Sequence, residues 1–280
     1  MSDSYDRRIT AARPDLAAAH LKGIVAAERY REGRIKQVAV ASLGLRSGPG
    51  LDAPLETELL FGEIFTVYEL KNDCVWGQAA LDSHVGYAPA DAFSDTVTAP
   101  THRVTARATP LLTAPDVKQP SRAILPMNAK LTIAGDGDRF FRLADGGYIA
   151  SAHIAPLAAH APDWVVVAET FLGAPYVWGG KTFAGIDCSG LIQTALEAAG
   201  IPAPRDTDLM ETALGEPVAL DAPLQRGHLI FWKGHMGAML DGARLIHASA
   251  LAMQVVIEDF LTARARIEAD GLPVRTIKRL

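Results

Sequence analysis

The run DCSGLIQTALEAAGIP, residues 187–202, carries the strongest structural signal in the chain. Its apolar residues recur at the three- and four-residue spacing of an amphipathic helix, which predicts an α-helix beginning at Cys188. Asp187 is suited to cap the helix start, and Gly200 and Pro202 are suited to end it. A thiol in the first helical turn lies at the positive end of the helix dipole, which lowers its pKa. Cys188 therefore has the setting of a nucleophile.

Two histidines downstream are candidates for the base that such a nucleophile needs. The apolar runs after the helix predict successive antiparallel strands, at 228–232, 235–240, 245–247 and 254–257. A three-residue loop at 240–242, ending in a left-handed glycine, pairs Met239 with Ala243 and therefore His235 with His247. Opposed residues share a face with their Cβ atoms about 5 Å apart, so one imidazole can orient the other. A two-residue loop instead puts the histidines on opposite faces, and this alternative stays open.

The residues alone leave other interpretations open. A lone cysteine in an apolar helix is often a core residue, and a histidine in a strand is often structural. A zinc site built from Cys188, His235 and His247 is a rival, although it offers three ligands and no closely spaced pair. Loop packing is an alternative role for Tyr176 and Trp178, which lie in the segment before the helix.

Composition excludes several classes of protein. Of the 280 residues, 49% are hydrophobic and 21% charged, which is typical of globular chains and excludes disordered or fibrous ones. The net charge of −5, without a basic block, disfavours nucleic-acid binding. Cys74 and Cys188 are too few for a disulfide scaffold. We find no phosphate-loop or dinucleotide-binding motif, so no cofactor is expected.

The start of the chain lacks the charged and apolar regions of a secretory signal. The longest uncharged run, 146–162, contains two histidines and two prolines and is too short to span a bilayer. We therefore expect a cytoplasmic protein without a membrane span.

Pattern changes along the chain predict four segments. Residues 1–33 have helical spacing and predict a helical lead-in, 34–99 and 100–158 read as two small all-β domains, and 159–280 mixes helix and strands. The run VGYAPADAF at 85–93 is echoed by GGYIASAHI at 146–154. This echo indicates that the two all-β domains are repeats of one unit.

Four motifs in the last segment resemble those of the NlpC-type cysteine peptidases, which cleave bacterial cell-wall peptides. They are GAPYVWGG at 173–180, GIDCSGL at 185–191, GHMG at 234–237 and LIHAS at 245–249. The two all-β segments resemble bacterial SH3-like domains. The resemblance implies an α+β fold class, with a papain-like catalytic domain preceded by two SH3-like barrels.

The resemblance also implies a division of labour in acyl transfer. Cys188 would be the nucleophile, His235 the general base and then acid, and His247 the residue that orients His235. The backbone N–H of Cys188 and the hydroxyl of Tyr176 would stabilise the oxyanion.

Further residues would bind the substrate by the same resemblance. Asp187 and Ser189 would help to bind the peptide and its amine, Trp178 would line the site, and Tyr87 would reach it from the first SH3-like domain. An acidic residue of that domain is also implied, and the register leaves three candidates, Glu56, Glu58 and Glu63.

The implied substrate is a free murein peptide, L-Ala-γ-D-Glu-diamino acid, cut between γ-D-Glu and the diamino acid when the L-Ala amine is unblocked. A buried carboxylate left without its ammonium partner is costly, which would explain rejection of blocked peptides. A cytoplasmic protein fits recycling of wall peptides. Two alternatives remain: an amidase or acyltransferase on the same scaffold, and a wall-peptide binding protein with a silent catalytic domain.

Overall fold

Residues 5–280 are described by the structure, a computed structural model. The chain divides into two units, of which one ends at Leu157 and the other comprises Ala158–Leu280. The first contains the two predicted all-β segments, and the second contains the helix that begins at Cys188.

The predicted helical lead-in over 1–33 is wrong for the described part, residues 5–33, which contains no α-helix. It forms strand β1, a 3-10 turn and strand β2, at Ala17–Ala18, Ala19–Leu21 and Tyr30–Arg31. Pro14 and the left-handed Gly23 interrupt any longer helix. Leu16 is fully buried in a cluster with Trp76 of the following barrel. The apolar residues of this segment therefore pack on that barrel and not on one face of a helix.

The first barrel is a seven-stranded sheet in the order β5-β4-β8-β7-β6-β3-β9. Its strands are β3 Arg34–Val38, β4 Ser42–Arg46, β5 Leu55–Leu60, β6 Ile64–Lys71, β7 Cys74–Ala79, β8 Val85–Pro89 and β9 Phe93–Ser94. The side chains of Phe65 and Phe93 stack in its core with ring centroids 5.1 Å apart. Asn72 and Asp73 both have positive φ, as the tight hairpin between β6 and β7 requires.

The second barrel contains a three-stranded sheet, β13-β10-β17, and a five-stranded sheet, β12-β11-β16-β15-β14. Its strands are β10 His102–Val104, β11 Ala108–Leu112, β12 Ser121–Pro126, β13 Lys130–Leu131, β14 Ile133–Gly135, β15 Phe140–Leu143, β16 Tyr148–Ala150 and β17 Ile154–Pro156. Val104, Leu125, Leu131 and Ile149 are fully buried in its core.

The predicted repeat is confirmed in the secondary structure. Tyr87 lies in β8 and Tyr148 in β16, and each strand is followed by a 3-10 turn, at Ala90–Ala92 and Ser151–His153. A short strand then follows each turn, β9 in one case and β17 in the other.

The second unit has a six-stranded antiparallel sheet in the order β20-β25-β21-β22-β23-β24. Its elements are α1 Trp164–Glu169, β18 Lys181–Thr182, β19 Gly185–Ile186, α2 Cys188–Ala198, α3 Thr207–Ala213, β20 Glu216–Val218, β21 Leu229–Trp232, β22 His235–Met239, β23 Arg244–Ser249, β24 Gln254–Asp259, α4 Phe260–Ala269 and β25 Thr276–Arg279. Helix α2 packs on β22 and β23. Within residues 5–280, no helix combines the length and apolarity needed to cross a membrane.

The predicted helix is confirmed as α2. It begins at Cys188, the carboxylate of Asp187 accepts a hydrogen bond from the N–H of Gly190, and Gly200 follows it with a φ of +75°. Leu191 and Ile192 are fully buried, as the apolar stripe predicts.

The predicted hairpin register between β22 and β23 is wrong by two residues. Met239 pairs with Leu245 and not with Ala243. The carboxylate of Asp241 accepts hydrogen bonds from the N–H groups of Ala243 and Arg244, and this side-chain turn lengthens the loop. Because side chains alternate with a period of two, a shift of two residues leaves every side chain on its predicted face.

Candidate active site

Cys188 lies at the junction of helix α2 and the main sheet, and only 5% of its surface is exposed. Its Sγ lies 3.9 Å from the Oγ1 of Thr207, at the start of α3. Burial and the adjacent Asp187 carboxylate raise the pKa of the thiol to about 11, against the opposing effects of the Met236 N–H and Arg205. The lowering expected at a helix start is therefore outweighed, because the thiol is removed from water.

His235 and His247 contact each other, as the alternation of the strands predicts. The Nε2 of His235 lies 2.7 Å from the Nδ1 of His247, and the two rings meet edge to face with centroids 4.9 Å apart. The indole of Trp232, which is fully buried, lies 5.5 Å from the ring of His235. Burial and the nearby His247 lower the pKa of His235 to about 3, so its imidazole is neutral at physiological pH.

A carboxylate stands behind the two histidines, and sequence reasoning missed it. The Nε2 of His247 lies 2.6 Å from the Oε1 of Glu258 in β24. Arg266 in α4 donates to both carboxylate oxygens of Glu258, at 2.6 and 2.7 Å. These bonds, chiefly those from Arg266, lower the pKa of Glu258 to about 2. The pairing His247↔Val256 in the register of β23 and β24 puts Glu258 two residues along, on the face of His247.

Asp187 and Arg205 form a buried ion pair beside the nucleophile, with side chains 9% and 1% exposed. The guanidinium of Arg205 donates to both carboxylate oxygens of Asp187 and, at 2.7 Å, to the hydroxyl of Ser189. The N–H groups of Gly179 and Gly190 donate to the same carboxylate. Asp187 thus accepts hydrogen bonds from three neighbouring segments, which does not favour the predicted role in amine binding. Instead it joins the segment before α2, the helix itself and Arg205.

The aromatic residues of the segment before α2 differ in exposure. Tyr176 is half-buried and anchored through its N–H, which donates to the carbonyl of Met253. Burial, with the nearby Cys188 and Asp187, raises the pKa of Tyr176, so its hydroxyl stays a hydrogen-bond donor at neutral pH. Trp178 is 67% exposed and is not packed in a core.

Tyr87 belongs to the N-terminal unit, where its hydroxyl accepts a hydrogen bond of 2.9 Å from Arg13. The guanidinium of Arg13 also lies over the ring of Trp76, at 4.4 Å, and pairs with Glu69. Glu69 and Asp15 are therefore both linked to Tyr87 through Arg13. Of the three acidic candidates named from the sequence, Glu63 is buried and accepts from the N–H of Leu60.

The zinc alternative does not fit the bonding of the histidines. Both ring nitrogens of His247 are engaged, one by His235 and one by Glu258, so neither is available to a metal. Among residues 5–280, we find no group of three or more His, Cys, Asp or Glu side chains arranged to hold a metal ion.

Comparison with family models matches two parts of the chain. Residues 173–265 match the model described as the NlpC/P60 family, and residues 45–93 match the model described as the bacterial dipeptidyl-peptidase Sh3 domain. The first match contains Cys188, His235, His247 and Glu258, and the second contains Tyr87.

Two curated relatives match most of the chain. Dipeptidyl-peptidase 6 from Lysinibacillus sphaericus is 29% identical over 230 residues, which cover 73% of this chain and 84% of that protein. A gamma-D-glutamyl-L-lysine dipeptidyl-peptidase from Bacillus cereus is 30% identical over 236 residues, which cover 72% of this chain and 70% of that protein.

Among solved structures, an NlpC/P60 family protein from Bacillus cereus superimposes with a TM-score of 0.75. The match covers 88% of this chain and 99% of that one at 22% sequence identity. At that identity the likeness establishes the fold, a papain-like domain with SH3-like domains, and leaves the substrate to be argued from the site.

Proposed function

The chain belongs to the NlpC/P60 family and is a cysteine peptidase, and on this premise we propose that it hydrolyses the bond between γ-D-glutamate and the L-diamino acid of murein peptides. The observation that carries the proposal is the position of Cys188 at the start of α2, a helix that packs on the two strands carrying the linked pair His235 and His247. Two relatives named dipeptidyl-peptidases, one of them specified for the γ-D-glutamyl-L-lysine bond, support this choice of substrate.

The first half of the reaction makes a thioester on Cys188. The Sγ attacks the γ-carbonyl carbon while His235 accepts the thiol proton, so the C–S bond forms without a pre-ionised thiol. Both groups are neutral at rest, because burial raises the pKa of Cys188 and lowers the pKa of His235. The protonated Tyr176 hydroxyl is our candidate donor to the oxyanion, together with the backbone N–H of Cys188.

The second half regenerates the enzyme. His235 returns the proton to the amine of the diamino acid as the C–N bond breaks, and that product leaves. A water molecule, deprotonated by His235, then attacks the thioester, the C–S bond breaks and the dipeptide L-Ala-D-Glu leaves. His235 returns the proton to the Sγ of Cys188, which restores the neutral thiol and imidazole. His247 keeps the ring of His235 in place throughout, and this is the orienting role that we propose for it.

We extend the proposal to a requirement for a free L-Ala amine. A dipeptidyl-peptidase, as the two relatives are named, releases two residues from an N-terminus. We assign Asp187 and Ser189 to supporting the nucleophile through Arg205, and we leave Trp178 and Tyr87 as candidates for peptide contacts. Peptides still attached to the wall have this amine blocked, so a free-amine requirement fits recycling of released peptides in the cytoplasm.

Digestion of matched peptides tests the proposal. L-Ala-γ-D-Glu-meso-diaminopimelate, its L-Lys analogue and the N-acetylated form of each are incubated with wild type and with Cys188→Ala, and the products are identified by mass spectrometry. We expect L-Ala-D-Glu only from free-amine peptides and only with wild type, and the faster of the two peptides identifies the diamino acid.

Two other outcomes would count against it. Equal cleavage of acetylated peptides would remove the amine requirement and the recycling role. No cleavage of any peptide by wild type would overturn the proposed bond specificity and would favour the amidase or acyltransferase alternative.

A further inference from the structure

Four side chains from three strands and one helix form a continuous row of hydrogen bonds that begins at His235. His235 in β22 contacts His247 in β23 at 2.7 Å, and His247 contacts Glu258 in β24 at 2.6 Å. Arg266 in α4 closes the row with two bonds to Glu258. The proposed function uses the first two groups and gives no role to the last two.

The hydrogen bonds in this row have a direction, and Glu258 sets it. A carboxylate that is paired with an arginine only accepts hydrogen bonds, so the Nε2 of His247 must carry a proton. Since burial lowers the pKa of His247, its ring is neutral and its Nδ1 is an acceptor. The Nε2 of His235 must then donate to that Nδ1. In a neutral His235 this leaves Nδ1 without a proton.

We propose that Glu258, held by Arg266, is a positioning residue that orders the protons of the two histidines so that the Nδ1 of His235 is free to act as the base. The inference rests on the proposed function in one respect, namely that His235 receives the thiol proton of Cys188. Without the anion, His247 can take the other tautomer and donate from Nδ1. His235 would then accept at Nε2 and carry its proton on Nδ1, where it cannot serve as a base.

Arg266 has a second effect through its charge. The charged or titratable groups around His247 are His235 from β22, Glu258 from β24 and Arg266 from α4. Arg266 lowers the pKa of His247, whereas Glu258 raises it. Removing Arg266 therefore leaves the Glu258 carboxylate beside His247 without its counter-charge and favours the imidazolium form of His247. An imidazolium donates from both nitrogens, which again reverses the hydrogen bond between His235 and His247.

A structural role is the alternative, since the same ion pair ties α4 to β24. The side chains of Glu258 and Arg266 are 22% and 33% exposed, so the pair is partly buried and its removal also changes stability to some extent. The tests below therefore read proton positions and the pH profile, which a structural tie would leave unchanged.

The direct test is the tautomer of each ring, read by nitrogen NMR on protein labelled with ¹⁵N-histidine. In wild type near pH 7 we expect His235 and His247 to be protonated at Nε2 and bare at Nδ1. Glu258→Gln should shift His247 toward the Nδ1-protonated form, because an amide can donate as well as accept. Glu258→Asp should retain the wild-type form. The matched control is Glu268→Gln, which removes a carboxylate paired only with Arg264 on the same helix.

Kinetics give the second readout. We expect Glu258→Gln to lower kcat about 10- to 100-fold with KM within about twofold, a smaller loss than the ~10⁴-fold seen when a triad carboxylate is replaced. Arg266→Gln should move the acid limb of kcat/KM to higher pH, because His247 is then protonated more readily. Glu258→Asp should recover most of kcat, and Glu268→Gln should behave as wild type.

The outcomes separate this inference from the proposed function. Unchanged tautomers in Glu258→Gln, or an unchanged kcat and pH profile, would overturn the role of Glu258 even if wild type cleaves the murein peptides. The predicted change of tautomer in a protein that cleaves none of them would support the proton order and overturn the proposed substrate. Alkylation of Cys188 by iodoacetamide, measured with Cys74→Ser as background, supplies a rate that does not depend on any peptide, and we expect Glu258→Gln to slow it.

Discussion

The two cysteines of this chain share an elevated thiol pKa and differ in almost everything around it. Burial raises the pKa of both Cys74 and Cys188. Cys74 opens strand β7 of the first barrel, whereas Cys188 opens a helix that packs on the strands carrying His235 and His247. A thiol is thus no more acidic in the candidate site than outside it. We therefore propose that the reactivity of Cys188 depends on the base His235 and not on a lowered thiol pKa.

We expect the largest change in activity when the two cysteines are replaced, one at a time, by alanine. Cys188→Ala should lower cleavage of L-Ala-γ-D-Glu-diamino acid by about 10³-fold or more, because the bond-forming atom is removed. Cys74→Ala should leave kcat within about twofold. Rates from liquid chromatography of the products check both, and a similar loss in the two variants would break the comparison.

The buried ion pair beside Cys188 provides the next effect. Arg205→Gln leaves the Asp187 carboxylate buried without its partner and should destabilise the second unit by about 3–5 kcal/mol. Hydrogen exchange of peptides from α2 measures this locally. The control is Arg226→Gln, whose exposed pairs with Asp163 and Glu169 contribute about 0–1 kcal/mol. Equal protection in the two variants would show that the buried pair does not stabilise the nucleophile.

The pH dependence of alkylation by iodoacetamide distinguishes the two cysteines further. With a pKa of about 11, the thiolate fraction of Cys188 should rise about tenfold per pH unit between pH 7 and 9, and Cys74 should also show a rising rate. His235→Gln should slow the alkylation of Cys188 and leave that of Cys74 unchanged, because His235 is the proposed base for Cys188. Mass-spectrometric site mapping after timed exposure to iodoacetamide gives both rates. A plateau for Cys188 at neutral pH would mean a preformed thiolate and would contradict the neutral pair.

The smallest effect concerns stability and Glu258. Its pKa of about 2 lies below the ordinary 4.5, so the unfolded chain binds more protons between these values. The stabilisation is therefore present above about pH 4.5 and is lost as pH falls toward 2. Glu258→Gln should lower stability by about 1 kcal/mol or less at pH 6.5, and the difference should shrink at pH 3. Urea midpoints at the two pH values measure it, and a difference that grows on acidification would contradict the assigned pKa.

The parts of the site that follow local pattern could be predicted from the sequence. The helix start at Cys188 follows from its cap and apolar stripe, and the shared face of His235 and His247 follows from strand alternation. The hairpin register was wrong because the side chain of Asp241 lengthens the turn. The conclusion about the shared face survived because the error was an even number of residues.

The charged groups of the site could not be predicted in the same way. No motif around Glu258 or Arg205 in the sequence assigns either residue a partner, and the partners are set by sheet order and by packing of distant segments. The burial of Cys188 could not be predicted from the sequence either. Its position at a helix start predicts a lowered thiol pKa, and only the packed structure shows that the thiol is removed from water. The prediction of a helical lead-in was wrong for a related reason: apolar residues of that segment pack on the neighbouring barrel.

Trapping the covalent intermediate would show directly whether Cys188 is the nucleophile. Wild-type protein is mixed with excess L-Ala-γ-D-Glu-meso-diaminopimelate, quenched in acid within the first turnovers, digested and analysed by mass spectrometry. We expect an L-Ala-γ-D-Glu acyl group on the peptide that contains Cys188 and none on the peptide that contains Cys74. Turnover of the substrate with no adduct at Cys188, or with an adduct at Cys74, would contradict it.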